Sequence, residues 1–105
     1  MSIVPEQIIR NKQYRGQIMK VVAMFYPSPV TIDQLKIALS SYGASFVADL
    51  AKHLHFLADD AGDKSPAYIR LPGPVEHLGD DDKIYITRAG IKLVEGSLSD
   101  EDIRL

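Results

Sequence analysis

The stretch TIDQLKIALSSYGASFVADLAKHL, Thr31 to Leu54, constrains this chain most, because it sets apolar residues at helical spacing on both sides of one glycine. Gln34 follows Thr31 by three residues, the spacing of a capping box in which each side chain serves the other's backbone N–H. Ile32, Leu35, Ala38 and Leu39 then recur at three and four residues and predict the inner face of a helix over 32–41. Ser40-Ser41-Tyr42-Gly43 stops that helix, with Gly43 suited to a left-handed cap. Ser45 is placed to cap a further helix over 45–58, with Val47, Leu50, Ala51, Leu54 and Leu57 inward. Two helices joined by a short glycine-bearing turn are the pattern of a helix-turn-helix.

The flanking sequence adds a helix before this unit and a hairpin after it. Ile18, Val21, Val22 and Phe25 mark one buried stripe of a helix over 14–26, which Pro27-Ser28-Pro29 ends. Gly16 weakens a continuous helix from residue 5, so residues 1–13 read as an N-terminal arm. Residues 67–71 and 83–87 are short, alternate in polarity and are rich in β-branched and aromatic residues. They flank a loop with Pro72, Gly73, Pro74 and Gly79, and so read as a two-stranded hairpin with a long tip. Tyr68 and Tyr85 are candidates for a packing pair across it. Thr87 caps a last helix over 88–95, closed by Gly96. Residues 97–105 form an acidic tail, either disordered or one further turn at Ser99-Asp100-Glu101-Asp102. The expected class is mainly α (α+β), with the folded domain at 14–96.

Composition excludes several functions. A chain of 105 residues supports one core, and the absence of cysteine removes disulfides and thiolate metal sites. The longest apolar run, Val21 to Tyr26, is too short to span a bilayer, and MSIVPEQIIRNK lacks the pattern of a secretory signal. A cytoplasmic protein that does not engage membranes is expected. Charge is uneven. Arg10, Lys12, Arg15 and Lys20 face only Glu6 in residues 1–27, whereas seven carboxylates meet only Lys64 and Arg70 in residues 59–82.

Helix, helix, turn, helix, hairpin, helix is the order of a winged helix. Tyr42-Gly43, the amphipathic stretch 45–58 and IYITRAG at the end of the hairpin resemble the small winged helix-turn-helix regulators of bacteria and phage. Thr87 and Gly90 match the Thr-x-x-Gly that commonly caps the helix after the wing in that class. The pattern is also similar to short winged-helix proteins of Mu-like prophages, loosely grouped with ArsR- and MarR-type repressors. The resemblance covers about residues 14–96 and implies a DNA-binding transcriptional regulator of the bacterial or phage-encoded kind. Without cysteine, the thiolate metal sensing of ArsR relatives cannot operate here.

In a winged helix the outward face of the helix 45–58 enters the major groove. With Leu50 inward, that face carries Ser45, Ala48, Asp49, Lys52, Phe56 and Asp59. Lys52 is its one long cation suited to a purine edge or a phosphate. Arg10, Lys12 and Arg15 are candidate backbone contacts. Against DNA stands the tip PGPVEHLGDDD, with Glu76, Asp80, Asp81 and Asp82 and no Lys or Arg. A winged-helix protein-interaction module, using the acidic wing and Phe56, is therefore the competing class. Ile8 and Ile9, with Ile3 and Val4, give the arm more apolar surface than a free segment needs. They and Phe56 are candidate partner contacts, and a homodimer is expected.

No catalytic motif appears, so an enzyme is not expected, and no cofactor or metal is implied. His53 and His55 project about 200° apart on a helix and cannot share a metal. Asp49 and His53 supply two ligands without a third. Asp80-Asp81-Asp82 lacks the ligand spacing of a calcium loop.

Overall fold

The fold is that of a computed structural model, which describes residues 5–41, 50–59 and 66–105. Calls that fall on Ile3, Val4, Tyr42, Gly43, Ser45, Val47, Ala48 and Asp49 lie outside the described residues. The described chain is α+β. Its helices are α1 (Pro5–Phe25), α2 (Ile32–Ser40), α3 (Leu50–Ala58) and α4 (Arg88–Glu95), with strands β1 (Val30–Thr31), β2 (Ile69–Arg70) and β3 (Lys83–Ile86). α1 is the hub, packing against α2, α3, α4 and β3 through Ile18, Met19, Val21 and Val22.

The sheet has three strands rather than two. β3 is central, antiparallel to β1 on one side and to β2 on the other. Val30 pairs with Ile84 and Thr31 with Lys83, so the residues linking α1 to α2 become an edge strand. Across the hairpin the register sets Ile69 against Ile86 and Arg70 against Tyr85. The two tyrosines therefore do not pair. Tyr68 turns into the core while Tyr85 stays outside.

Two caps follow their sequence signals. The Thr31 N–H donates to Gln34 Oε1 at 2.9 Å, and the Gln34 N–H donates to Thr31 Oγ1 at 3.1 Å. At the other cap, Thr87 Oγ1 accepts from the Gly90 N–H at 3.0 Å and donates to the Ala67 carbonyl at 2.7 Å, tying α4 to the segment that leads into β2. Gly90 is buried where any Cβ would meet the Tyr68 carbonyl oxygen, with Ile86 Cγ1 at 2.7 Å and Met19 Cε at 3.0 Å. Gly96 ends α4 in the left-handed region at φ 91°.

The N-terminal end departs from expectation, while the C-terminal segment takes the turn that was one of its two alternatives. α1 runs unbroken from Pro5 through Gly16 to Phe25, so residues 5–13 are its first turns rather than a separate arm. Gly16 is no breaker here. It lies under the C-terminal segment, where a side chain would run into the Arg104 carbonyl. That segment is a strap rather than a loose tail. Ile103 is buried in the core, the Arg104 N–H donates to the Lys12 carbonyl at 3.0 Å, and Tyr68 Oη donates to Asp100 Oδ2 at 2.7 Å. Asp100 also accepts from the Asp102 N–H at 2.8 Å, so one carboxylate fixes both the tyrosine and the turn of the strap.

Candidate nucleic-acid interface

α3 is amphipathic for a simple reason of phase. Leu50, His53, Leu54 and Leu57 are buried, within about 60° of Leu50 on a helix of 3.6 residues per turn. Lys52 falls about 200° and Asp59 about 180° from Leu50, and both are exposed, diametrically opposite the core. Ala51 was assigned to the inner face and is exposed instead, because at about 100° it lies outside the buried arc. His53 is fully buried, its ring edge-on to Tyr14 at 5.4 Å between centroids.

Phe56 projects outward as its phase predicts and is 38% exposed, with part of its ring covered from within the chain. The Arg15 guanidinium stacks on its ring at 3.8 Å from the centroid. Arg15 also donates from Nη1 to the Asp102 carbonyl at 3.2 Å. Its Nε is buried with no hydrogen-bond partner among the described residues. Burial lowers its pKa from the ordinary value, against the opposing pull of Asp102 and Asp100. Arg15 thus joins α1, α3 and the strap.

The remaining N-terminal cations do not converge. Around α1, Lys12, Lys20 and Arg10 fall about 80° apart in turn, so they spread over half the helix rather than lining one stripe. Arg10 and Lys20 are exposed, and Lys12 is half-buried beneath the strap. Ile8 and Ile9, 41% and 45% exposed, lie on the first turns of α1, where nothing before Tyr14 is buried.

The acidic loop after β2 is docked, not free. Val75 to His77 form a 3-10 turn against α3, with Val75 and Leu78 packed on the core. The loop then wraps the N-terminus of α2. The Asp82 and Asp80 carbonyls accept from the Ile32 and Asp33 N–H groups at 2.9 and 3.0 Å, satisfying donors that a helix start leaves unpaired. Asp80 Oδ1 pairs with Lys36 Nζ at 3.0 Å, and Asp82 Oδ2 accepts from the Gly79 N–H at 2.8 Å. Two of the four acidic residues are therefore spent on shaping the loop, and Glu76 and Asp81 remain exposed.

Sequence reasoning passed over one grouping. A cleft of about 510 Å³ separates α3 from β2, with His55, Ala58 and Asp59 on one wall and Arg70, Leu71 and Pro74 among the residues opposite. Arg70 stands at its edge and, across the sheet, opposite Tyr85. The alternation in KIYIT carried this signal, since it puts Lys83 and Tyr85 on one face and Ile84 and Ile86 on the other. Among the described residues no group of three or more His, Asp or Glu is placed to hold a metal ion. None of their helices is long and apolar enough to cross a membrane. No protein-family model, curated protein or solved structure matches the chain.

Proposed function

We propose that this chain is a winged-helix DNA-binding protein, a transcriptional regulator that presents α3 to the major groove as a homodimer. The observation that carries the reading is the outward face of α3, where Lys52 stands opposite a fully buried stripe and nothing described covers it. The order of elements, with a hairpin following α3 and a third strand bracing it, supports the same architecture. The competing protein-interaction reading drew on a free acidic tip and an uncovered Phe56. The tip is docked on α2, and Arg15 lies over the ring, so both supports weaken. Arg15 is correspondingly withdrawn from the set of free cations, leaving Lys52, Arg10 and Lys12 with Ser45, Ala48 and Asp49 as the proposed contacts.

Ile8 and Ile9 fit the dimer. A helical segment with no buried residue is marginal alone in water, and a second copy provides the missing surface. Fluorescence anisotropy of a labelled mixed-sequence duplex, at low and moderate salt, tests the whole reading. The expected result is salt-dependent binding with two chains per duplex. Lys52→Ala should weaken it by about 1–3 kcal/mol for a base contact, or less with a shallower salt slope for a phosphate. The same change should move folding stability by no more than about 0.5 kcal/mol, since the side chain lies on the solvent side. No binding even at low salt overturns the proposal.

A further inference from the structure

The outer face of the sheet bears a patch that the contacts above leave unused. Cross-strand partners stand on the same face of a sheet, and so do alternate residues along a strand. Arg70 is opposite Tyr85, and Lys83 lies two residues before Tyr85 on β3, so the three form one cluster. The opposite face holds Ile69 and Ile84, both buried. All three cluster residues are exposed, Tyr85 at 45%.

Its electrostatics are local and unspent. Among the described residues the one salt bridge is Lys36–Asp80, so neither Arg70 nor Lys83 is held by a carboxylate. Asp80 and Asp82, the acids of the adjoining loop, are turned to Lys36 and to the Gly79 N–H. Asp59, on the far wall of the cleft, is the one acidic residue among those that line it. The same cleft makes the patch continuous with α3, because Arg70 borders it together with His55.

We propose that this sheet face grips the phosphate backbone of double-stranded DNA beside the groove entered by α3. The inference rests on the DNA-binding reading and assigns the hairpin's contact to its strands rather than its tip. Arg70 and Lys83 each neutralise a phosphate, and the Tyr85 hydroxyl donates to a phosphate oxygen, a common positioning contact. Diagonal neighbours on adjacent strands are about 7–8 Å apart. That is on the scale of neighbouring phosphates along one DNA strand, so the two long cationic side chains can each reach one. The tip is unsuited to the task, since Glu76 and Asp81 remain exposed on it.

Anisotropy titrations of the full chain on one labelled duplex, across a range of salt, test this. In the Arg70→Gln/Lys83→Gln double variant the slope of log affinity against log salt should fall by about 1.8 per bound chain, ~3.6 for the dimer, at 0.9 per phosphate released. Tyr85→Phe should weaken binding several-fold with the slope unchanged, because it removes a donor and no charge. Circular dichroism melts matching the wild type establish that each variant is folded, and single Gln variants replace the double one if it is not. An unchanged slope in the cation variants, with the wild type binding normally, overturns the sheet contact and leaves the α3 reading standing. Failure of the wild type to bind at low salt overturns both.

Discussion

Two glycines inside helices, Gly16 in α1 and Gly90 in α4, do the same physical job in two different regions. Each lets a backbone carbonyl from another segment rest directly on a helix, that of Arg104 at Gly16 and that of Tyr68 at Gly90. At Gly90 the contact lies inside the core, fixed by Thr87 and enclosed by Met19 and Ile86. At Gly16 it lies at the margin, under a strap anchored mainly by Ile103 and by hydrogen bonds to Lys12, Arg15 and Tyr68. A crowded contact that cannot move should be costly to disturb. One whose partner can lift away should be cheaper.

Gly90→Ala sets the upper end of that contrast. The added methyl meets a carbonyl and two core side chains at once, and the expected cost is about 2–3 kcal/mol, as for overpacking elsewhere. A urea titration reads it, and a loss below about 1 kcal/mol would mean that β2 and α4 can separate without penalty.

Gly16→Ala should cost less, about 1 kcal/mol net. Lifting the strap forfeits the burial of Ile103, roughly 2 kcal/mol, while alanine in a helix interior returns about 1 kcal/mol over glycine. The expected signature is local, with hydrogen-exchange protection lost at the Ile103 and Arg104 amides while α2 and α4 keep theirs. The comparison sharpens in a chain ending at Leu98. There the same substitution should become stabilising by up to about 1 kcal/mol, a reversal that no property of α1 alone produces.

Tyr68→Phe joins the two regions and should cost no more than about 1 kcal/mol, for its hydrogen bond to Asp100. Burial first, and then the Asp100 carboxylate, raise the Tyr68 pKa above its ordinary value. The folded state therefore holds this proton more tightly than the unfolded chain does. Its contribution is complete below about pH 10, the unfolded value, and declines as pH rises beyond it. Alkaline unfolding should lose that component in Tyr68→Phe, and an unchanged alkaline profile would separate Tyr68 from the strap.

The same pair shows what a sequence carries. Gly90 was marked only by the resemblance, through Thr-x-x-Gly. Thr87 caps its N–H locally as Gln34 serves Thr31, but the demand for glycine comes from the distant Tyr68 carbonyl and Met19. Gly16 was read as a helix weakener because its reason lies in the C-terminal strap, beyond any local window. β1 escaped notice because two residues show no alternation. Tyr68 and Tyr85 were paired because period two puts both on the face of Arg70, whereas Tyr68 precedes β2, breaks the alternation and turns into the core. For the candidate interface, helical phase placed Lys52 and Phe56 correctly on the outside. It did not reveal that Arg15 covers Phe56, or that the cations of α1 diverge around its axis. The sheet patch was readable in the alternation of KIYIT, but only the pairing with β2 adds Arg70 to it.

The strap also sets an order on the ribosome. Arg15 and the Asp102 carbonyl are separated by 87 residues. At about 5–20 residues per second, α1 waits roughly 4–17 s between emerging and meeting that partner. Through that interval the seat of Ile103 and the groove over Gly16 face the solvent, when the nascent chain is most open to chaperones and to misassembly. Of the described helices, the one made earliest is the last to be completed.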